Sequence, residues 1–308
     1  MEPKVICIVG PTCSGKTSLS IELAERMEIE IISADSRQFY KYLNIGTAKP
    51  SNKDLEIIPH HFINSLEPDE SYNASRFENE ALSIIGSIFE RKKIPVVVGG
   101  SGLYIKALID GIFDEVDVDF EYRNELIEKK NRLGIDYLYS ELSKVDPESA
   151  VKMLPQNWKR IIRALEVYHL TGNTISVHQK AHKRKIDFNF VQFGLNWERS
   201  ILYKNIEKRV NDMISLGLLE ETKSILNMGF SKNLNSLNTV GYKEIISFLN
   251  GNNSFENAVE LIKRNTRRLA KRQLTWFRAD NRIIWLNNNN LNLDLKYIAD
   301  EILRREEN

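Results

Sequence analysis

Eight residues near the N-terminus, Gly10, Pro11, Thr12, Cys13, Ser14, Gly15, Lys16 and Thr17, have the types and spacing of a phosphate-holding loop, G-x-x-x-x-G-K-[ST]. Glycines let such a backbone curl until successive N–H groups point inward at phosphate oxygens. A helix opening at Lys16 adds the positive end of its dipole. Lys16 offers a point charge to the outer phosphate, and the Thr17 hydroxyl is a candidate Mg2+ ligand. The loop alone specifies a diphosphate or longer chain, and does not by itself mean ATP. Cys13 is either a thiol in an electropositive setting or a small residue filling the turn.

Two further segments place polar residues just past apolar runs. Asp35 and Ser36 follow Ile29 to Ser33. A carboxylate there can accept a proton from a nucleophile or hold a water of Mg2+, and it can equally cap a following helix. Gly99, Gly100 and Gly102 surround Ser101, so the backbone there can approach a ligand closely. No strand here ends in a carboxylate directly after four apolar residues, so the usual metal-holding partner of a nucleotide hydrolase is not evident. His60 and His61 are adjacent, their side chains diverge, and they are expected to pack in a loop without sharing a metal.

Lys263, Arg264, Arg267, Arg268, Lys271 and Arg272 recur so as to cover about half of a helix, and no acid occurs from Lys263 to Phe277. Ile262, Leu269, Ala270, Trp276 and Phe277 fall on the other half. Ordinary solvated faces mix signs, so this face suits a polyanion. A second basic zone holds Lys159, Arg160, Arg163, Lys180, Lys183, Arg184 and Lys185, interleaved with Trp158, Tyr168, His169, His178 and His182. Rings beside cations suit splayed RNA bases, though a solvated helical hairpin has the same composition.

The elements that must carry these residues alternate. Lys4 to Val9, Ile29 to Ser33 and Ile94 to Val98 are short apolar runs rich in β-branched residues, as in strands buried on both faces. Helical patterns separate them, from Lys16 to about Met27 and from Asn73 to Arg91. This predicts an α/β fold with a P-loop NTPase-like parallel sheet core, helices on both faces, and ligands at the C-terminal ends of the strands. From Asp114 to Glu128 there are seven acids and one base, and the chain to about Lys185 reads as helical without a clear strand. The predicted division is a core of 1–112 and 187–308 with an all-helical insertion domain at 113–186. Phe188 to Leu195 and Arg282 to Leu286 read as returning strands. Helices are expected at about 199–228, 240–249 and 255–279, a loop at Asn287 to Asn290, and a last helix at the chain end.

The net charge is +1, so a nucleic-acid surface must be local. Two cysteines without a ligand cluster argue against structural zinc or a disulfide framework. No run approaches the roughly 18 apolar residues of a membrane helix, which leads to a cytoplasmic reading with no membrane partner. No coiled-coil heptads are visible, and a monomer is expected.

Separated blocks across nearly the whole chain resemble the bacterial tRNA dimethylallyltransferases. They are G-P-T-C-S-G-K-T (10–17), I-S-A-D-S-R-Q-F-Y (32–40), G-T-A-K-P (46–50), P-H-H (59–61) and V-V-G-G-S-G-L-Y (97–104). R-I-I-R-A-L-E-V (160–167), T-G (171–172), G-L-L-E-E (217–221), V-G-Y-K-E (240–244) and T-R-R-L-A-K-R-Q-L-T-W-F-R (266–278) continue the series. The resemblance implies transfer of a dimethylallyl group from dimethylallyl diphosphate to N6 of adenosine 37 in the tRNA anticodon stem-loop, with Mg2+ as cofactor. It implies that Thr12 to Thr17 cradle the diphosphate, that Asp35 takes the N6 proton, and that Arg209 neutralises the leaving group. Lys16 and Ser101 join Asp35 and Arg209 as expected catalytic residues. Expected tRNA contacts are Asp35, Ser36, Arg37, Gln38, Ser101, Arg123, Lys159, Arg160, Ile161, Ile162 and Arg163, with Lys271 and Arg272 from the basic helix. The family often has Ala at Cys13 and Thr at Ser101, and neither difference removes a needed group. A P-loop small-molecule kinase leaves the basic helix and the insertion without a use. A prenyltransferase of free adenine nucleotides needs less basic surface. A nucleotide-switched RNA-binding protein leaves Asp35 without one.

Overall fold

The computed structural model describes residues 3–113, 116, 118–181, 184, 186–288 and 300. The chain folds as two compact units, one of residues up to 109 together with those from 186 onward, and a second of residues 110–185.

In the first unit the β-branched runs become a six-stranded sheet. Its strands are β1 (Lys4–Val9), β2 (Ile29–Ser33), β3 (His60–His61), β4 (Ile94–Gly99), β5 (Asn189–Trp197) and β6 (Ile283–Asn288), in the order β3-β2-β4-β1-β5-β6. Every neighbouring pair is parallel. Consecutive residues of β1, β2 and β4 are buried, so both faces of the sheet centre are covered. Ile6 and Ile8 share one core with Leu19 and Leu23 of α1 (Lys16–Ala24), Val96, Val98 and Phe193. Each such side chain contributes about 1.5–3 kcal/mol on leaving water. A separate aromatic cluster joins Phe39, Phe62 and Tyr72 to Phe77 of α3 (Ala74–Glu90) and Tyr104 of α4 (Gly102–Asp110).

The strand order brings three chemistry-bearing turns together. Those after β2, β4 and β1 leave adjacent strands at the same edge of the sheet. α2 (Asn52–Ile57) follows the segment after β2 and begins with a capping box between Ser51 and Asp54.

Three details differ from the sequence reading, and a fourth lies mostly outside the described residues. His60 and His61 form β3 and pair with Ile31 and Ile32, so they belong to the sheet. Their rings do diverge: His60 Nδ1 lies 2.7 Å from Ile58 O, and His61 Nε2 2.9 Å from Glu30. The helical stretch from 199 breaks at Gly217, whose φ is 96°, into α10 (Arg199–Ser215) and α11 (Leu218–Asn227). Asn287 and Asn288 extend β6, pairing with Asn196 and Trp197, so they are not loop, while Asn289 and Asn290 lie outside the described residues. Of the expected final helix only Asp300 is described.

The second unit is helical. α5 (Phe120–Leu133), α6 (Ile135–Val145), α7 (Pro147–Val151), α8 (Trp158–Thr171) and α9 (Ile175–Ala181) surround a core of Leu126, Leu138, Leu142, Ile161, Ile162 and Leu165. Asp146 caps α7 through Ser149 and also accepts from Ser176 of α9, which joins the two helices. The remaining helices of the first unit are α12 (Tyr242–Leu249) and α13 (Phe255–Arg278).

Candidate active site

The loop from Gly10 to Thr17 leaves β1 and enters α1 through Gly15, whose φ of 87° lies in the left-handed region that glycine adopts without steric cost. No side chain caps α1, and no acid occupies its first turn. Its first N–H groups therefore face the cavity with the dipole's positive end, the arrangement that binds anions. Trp197, at the end of β5, donates its indole N–H to Ser14 O at 3.0 Å and fixes the loop from behind. Lys16 Nζ turns into the loop and donates to Gly10 O at 3.1 Å and Pro11 O at 2.7 Å. Burial lowers its pKa to about 8, against the opposing pull of the Asp35 charge and with the help of Arg209. Arg209, on α10, donates to Thr12 Oγ1 at 3.1 Å and reaches Cys13 Sγ at 3.6 Å. Two cations thus converge on one loop.

The turn after β2 holds Asp35. No helix follows it: residues 36–39 form a turn, and Asp35 Oδ1 accepts from Arg37 N at 2.9 Å. The alternative of a helix cap is therefore replaced by a local Asx turn. Ser101 accepts from Ser36 N at 2.9 Å through its hydroxyl, and its own N–H donates to Ala34 O at 3.2 Å. The turn after β4 therefore braces the turn that carries the carboxylate.

A cavity of about 520 Å3 opens along these turns, lined by Thr12 to Ser18, Asp35, Gly100 and Arg209. Its apolar lining comes from Val210 and Met213 of α10, Val240, and Ile262 and Leu269 of α13. The lining thus combines cations and N–H donors, apolar side chains, and carboxylates, Asp35 among them. Such a cavity can hold an amphiphile with an anionic head and a small hydrocarbon tail.

The structure treats the expected RNA-contacting residues unequally. Gln38 accepts from Ser33 Oγ at 3.0 Å and donates to Thr47 O at 3.3 Å and Ala48 O at 3.2 Å, so its amide is committed internally. Arg37 donates to Asn235 O at 2.7 Å. Ile161 and Ile162 are 0% and 3% exposed in the helical core, because α8 turns that face inward. Their side chains thus pack the helical core and leave only backbone for any contact outside it. Arg123 and Arg163 both bind Glu166, which is fully buried, at 2.6 and 2.7 Å. They neutralise a buried charge. Lys159 and Arg160 on the same helix are exposed. Rings in that zone have partners too: His169 stacks on Tyr122 at 3.9 Å, His178 on Phe113 at 4.1 Å, and Lys130 sits 4.1 Å over Trp158. Lys180 pairs with Glu148. His182, Lys183 and Lys185 lie outside the described residues. On α13, Lys263 pairs with Glu260 and Arg267 with Glu207, while Arg264, Arg268, Lys271 and Arg272 are exposed. Trp276, assigned to the apolar half, is more than a third exposed and covers Gly102.

Two residues at the site carry no signal of their role in the sequence. Gln273 accepts from Thr12 N at 2.9 Å and donates to Gly100 O at 3.0 Å. Glu221 accepts from Asn44 N, Ile45 N and Gly46 N at 2.9–3.3 Å and from Tyr242 OH at 2.5 Å. It thereby holds the segment that lines the cavity from Gly46 to Pro50. Both residues lie inside the family-like blocks, at 266–278 and 217–221, and only the folded chain reveals their partners.

The model of the IPP transferase family matches residues 38–280. The tRNA dimethylallyltransferase of Pelotomaculum thermopropionicum is 47% identical over 98% of this chain and 96% of its own length. That of Thermotoga neapolitana is 46% identical over the same shares. The crystal structure of the tRNA isopentenylpyrophosphate transferase of Bacillus halodurans matches 100% of this chain and 97% of its own, at 38% identity and a TM-score of 0.73. A eukaryotic dimethylallyltransferase acting on tRNA matches 98% of this chain and 80% of its own, at 30% identity and a TM-score of 0.82. A match of this extent, on a fold whose parallel sheet carries the phosphate loop, means that the chain belongs to the IPP transferase family.

Proposed function

We propose that this protein transfers a dimethylallyl group from dimethylallyl diphosphate to N6 of adenosine 37 in the anticodon loop of tRNA, and releases diphosphate. The observation that carries the reading is one cavity with Lys16, Arg209 and the α1 N-terminus as its anion-binding part, an apolar lining, and Asp35 on its wall.

Each group has a task in that reaction. The allylic C–O bond breaks and its electron pair leaves on the diphosphate oxygen. Lys16, Arg209 and the loop N–H groups stabilise that charge. The N6 lone pair forms the new N–C bond, and the Asp35 carboxylate takes the N6 proton. N6 is a weak nucleophile because its lone pair is delocalised into the ring, so alignment must supply much of the acceleration. Ser101 keeps the Asp35 turn in place through Ser36. The adenine must leave the loop stack to reach the cavity. Lys271 and Arg272, with Lys159 and Arg160, offer charge to tRNA phosphates. The helical insertion at 110–185 serves as the tRNA-binding domain. The protein acts as a monomer in the cytoplasm.

Mg2+ fits this site as a partner of the substrate. Among the described residues there is no cluster of three or more His, Cys, Asp or Glu that could cage a metal. Mg2+ is commonly held by phosphate oxygens, water and one or two protein oxygens, which the Thr17 hydroxyl and Asp35 can provide. When bound it would neutralise charge on the leaving diphosphate.

Incubating the protein with dimethylallyl diphosphate and unmodified tRNA, then digesting to nucleosides for mass spectrometry, tests the reading. Dimethylallyl adenosine at one anticodon-loop position is the expected product. Product on free adenosine monophosphate in place of tRNA, or phosphate transfer from ATP, would overturn it.

A further inference from the structure

α13 does more than present cations. Gln273 lies on its inner side, directly after Lys271 and Arg272 on the outer side. Its amide is used at both ends: Oε1 accepts from Thr12 N in the diphosphate loop at 2.9 Å, and Nε2 donates to Gly100 O in the turn after β4 at 3.0 Å. The fit at Gly100 is close, since a Cβ there would lie 2.4 Å from Gln273 Nε2. One helical turn further on, Trp276 packs so tightly on Gly102 that a Cβ would lie 2.2 Å from its ring. α13 therefore grips the Gly99 to Gly102 turn at two points.

From Gln273 the interactions run two ways. On one side Thr12 Oγ1 receives Arg209 at 3.1 Å, the arginine assigned to the leaving group. On the other, Gly100 is followed by Ser101, whose hydroxyl holds Ser36 N at 2.9 Å beside Asp35. The donor's anion site and the acceptor's base thus meet at one side chain, which holds its amide between the two turns at the cavity wall.

We propose that Gln273 is a positioning residue that sets the separation between the diphosphate loop and the Asp35 turn, and so the in-line alignment of N6 with the allylic carbon. This rests on the transferase reading above. A spacer of this kind acts on the rate of transfer more than on binding of either substrate, because each half-site stays intact when the link is cut. Misplacement of reacting groups by about 1 Å costs on the order of 10²-fold in rate.

The test measures single-turnover transfer at saturating tRNA with varied dimethylallyl diphosphate. Gln273→Met keeps the length of the side chain and removes both hydrogen bonds. Gly100→Ala disturbs the same link from its other partner by displacing the amide. Gln273→Glu keeps an acceptor for Thr12 N but sets a carboxylate against Gly100 O. All three are expected to lose about 10²-fold in maximal rate, with half-saturation by dimethylallyl diphosphate moving less than about threefold. Thermal melting is expected to change little. A wild-type maximal rate in Gln273→Met or Gly100→Ala overturns the proposal, as does a loss of affinity equal to the loss of rate. Should Gln273→Met fail to fold, Gly100→Ala decides. A wild-type protein that transfers nothing to tRNA overturns the transferase reading and the link with it, whereas full wild-type transfer with unaltered variants overturns the link alone.

Discussion

Lys16 meets its own loop before it meets a phosphate, because its ammonium donates to the carbonyls of Gly10 and Pro11. Burial lowers its pKa to about 8. The lysine is therefore charged below that value and loses its proton as pH rises through it. Affinity for inorganic diphosphate should be full near neutrality and fall above about pH 8, as read by calorimetric titration across about pH 7 to 10. Lys16→Arg should hold its affinity to higher pH, since a guanidinium stays charged. A flat wild-type profile would show that Lys16 keeps its proton in the empty loop. Asp35 poses a different question, because it already shapes its turn by accepting from Arg37 N. Asp35→Asn keeps an acceptor there and removes only the capacity to take a proton. A base role predicts a fall of roughly 10²–10⁴ in single-turnover transfer, with tRNA and dimethylallyl diphosphate affinities much less changed. A folded variant with wild-type rate would return Asp35 to turn-shaping alone.

Elements near the site are tied together by long-range carboxylate and amide hydrogen bonds, and these are what local sequence patterns leave out. β1 and β4 were legible because a continuous β-branched run has few other fates than a strand covered on both faces. The phosphate loop was legible because its chemistry fixes its spacing. β3 was not, since two histidines carry no strand signal and pair only because β2 lies alongside. The burial of Ile161 and Ile162 was not legible because block membership says nothing about which face of α8 turns inward. Glu221 shows the same limit: its partners at Asn44 to Gly46 and Tyr242 lie far away in sequence. Replacing it should expose this tie. Glu221→Ala leaves several N–H groups in need of an acceptor, and should destabilise by about 2–4 kcal/mol in urea unfolding. Glu221→Gln retains one acceptor oxygen and should lose less. Equal losses in the two variants would mean that the carboxylate serves packing and not the backbone of the 44–46 segment.

At the scale of the molecule, a net charge of +1 gives no general attraction for RNA, so affinity must come from a few placed cations. The structure separates cations with internal partners from those facing solvent. Arg123 and Arg163 serve the buried Glu166, and Lys263 and Arg267 pair with Glu260 and Glu207. Lys271 and Arg272 are exposed and make no ion pair among the described residues. The two classes should respond differently to salt. Reversing Lys271 and Arg272 to Glu should weaken tRNA binding, and should flatten the plot of log affinity against log salt by about 0.7–0.9 for each phosphate no longer neutralised. Dimethylallyl diphosphate affinity should hold, because neither residue lines the cavity. Arg123→Ala should act in the other way, lowering melting temperature by stripping a partner from Glu166 while leaving the salt slope nearly unchanged. Filter binding at several salt concentrations, run beside melting curves, measures both effects. An unchanged slope after the double reversal would mean that the exposed face of α13 does not meet the tRNA backbone. A slope lowered by Arg123→Ala would mean that this guanidinium leaves Glu166 for a phosphate when RNA binds.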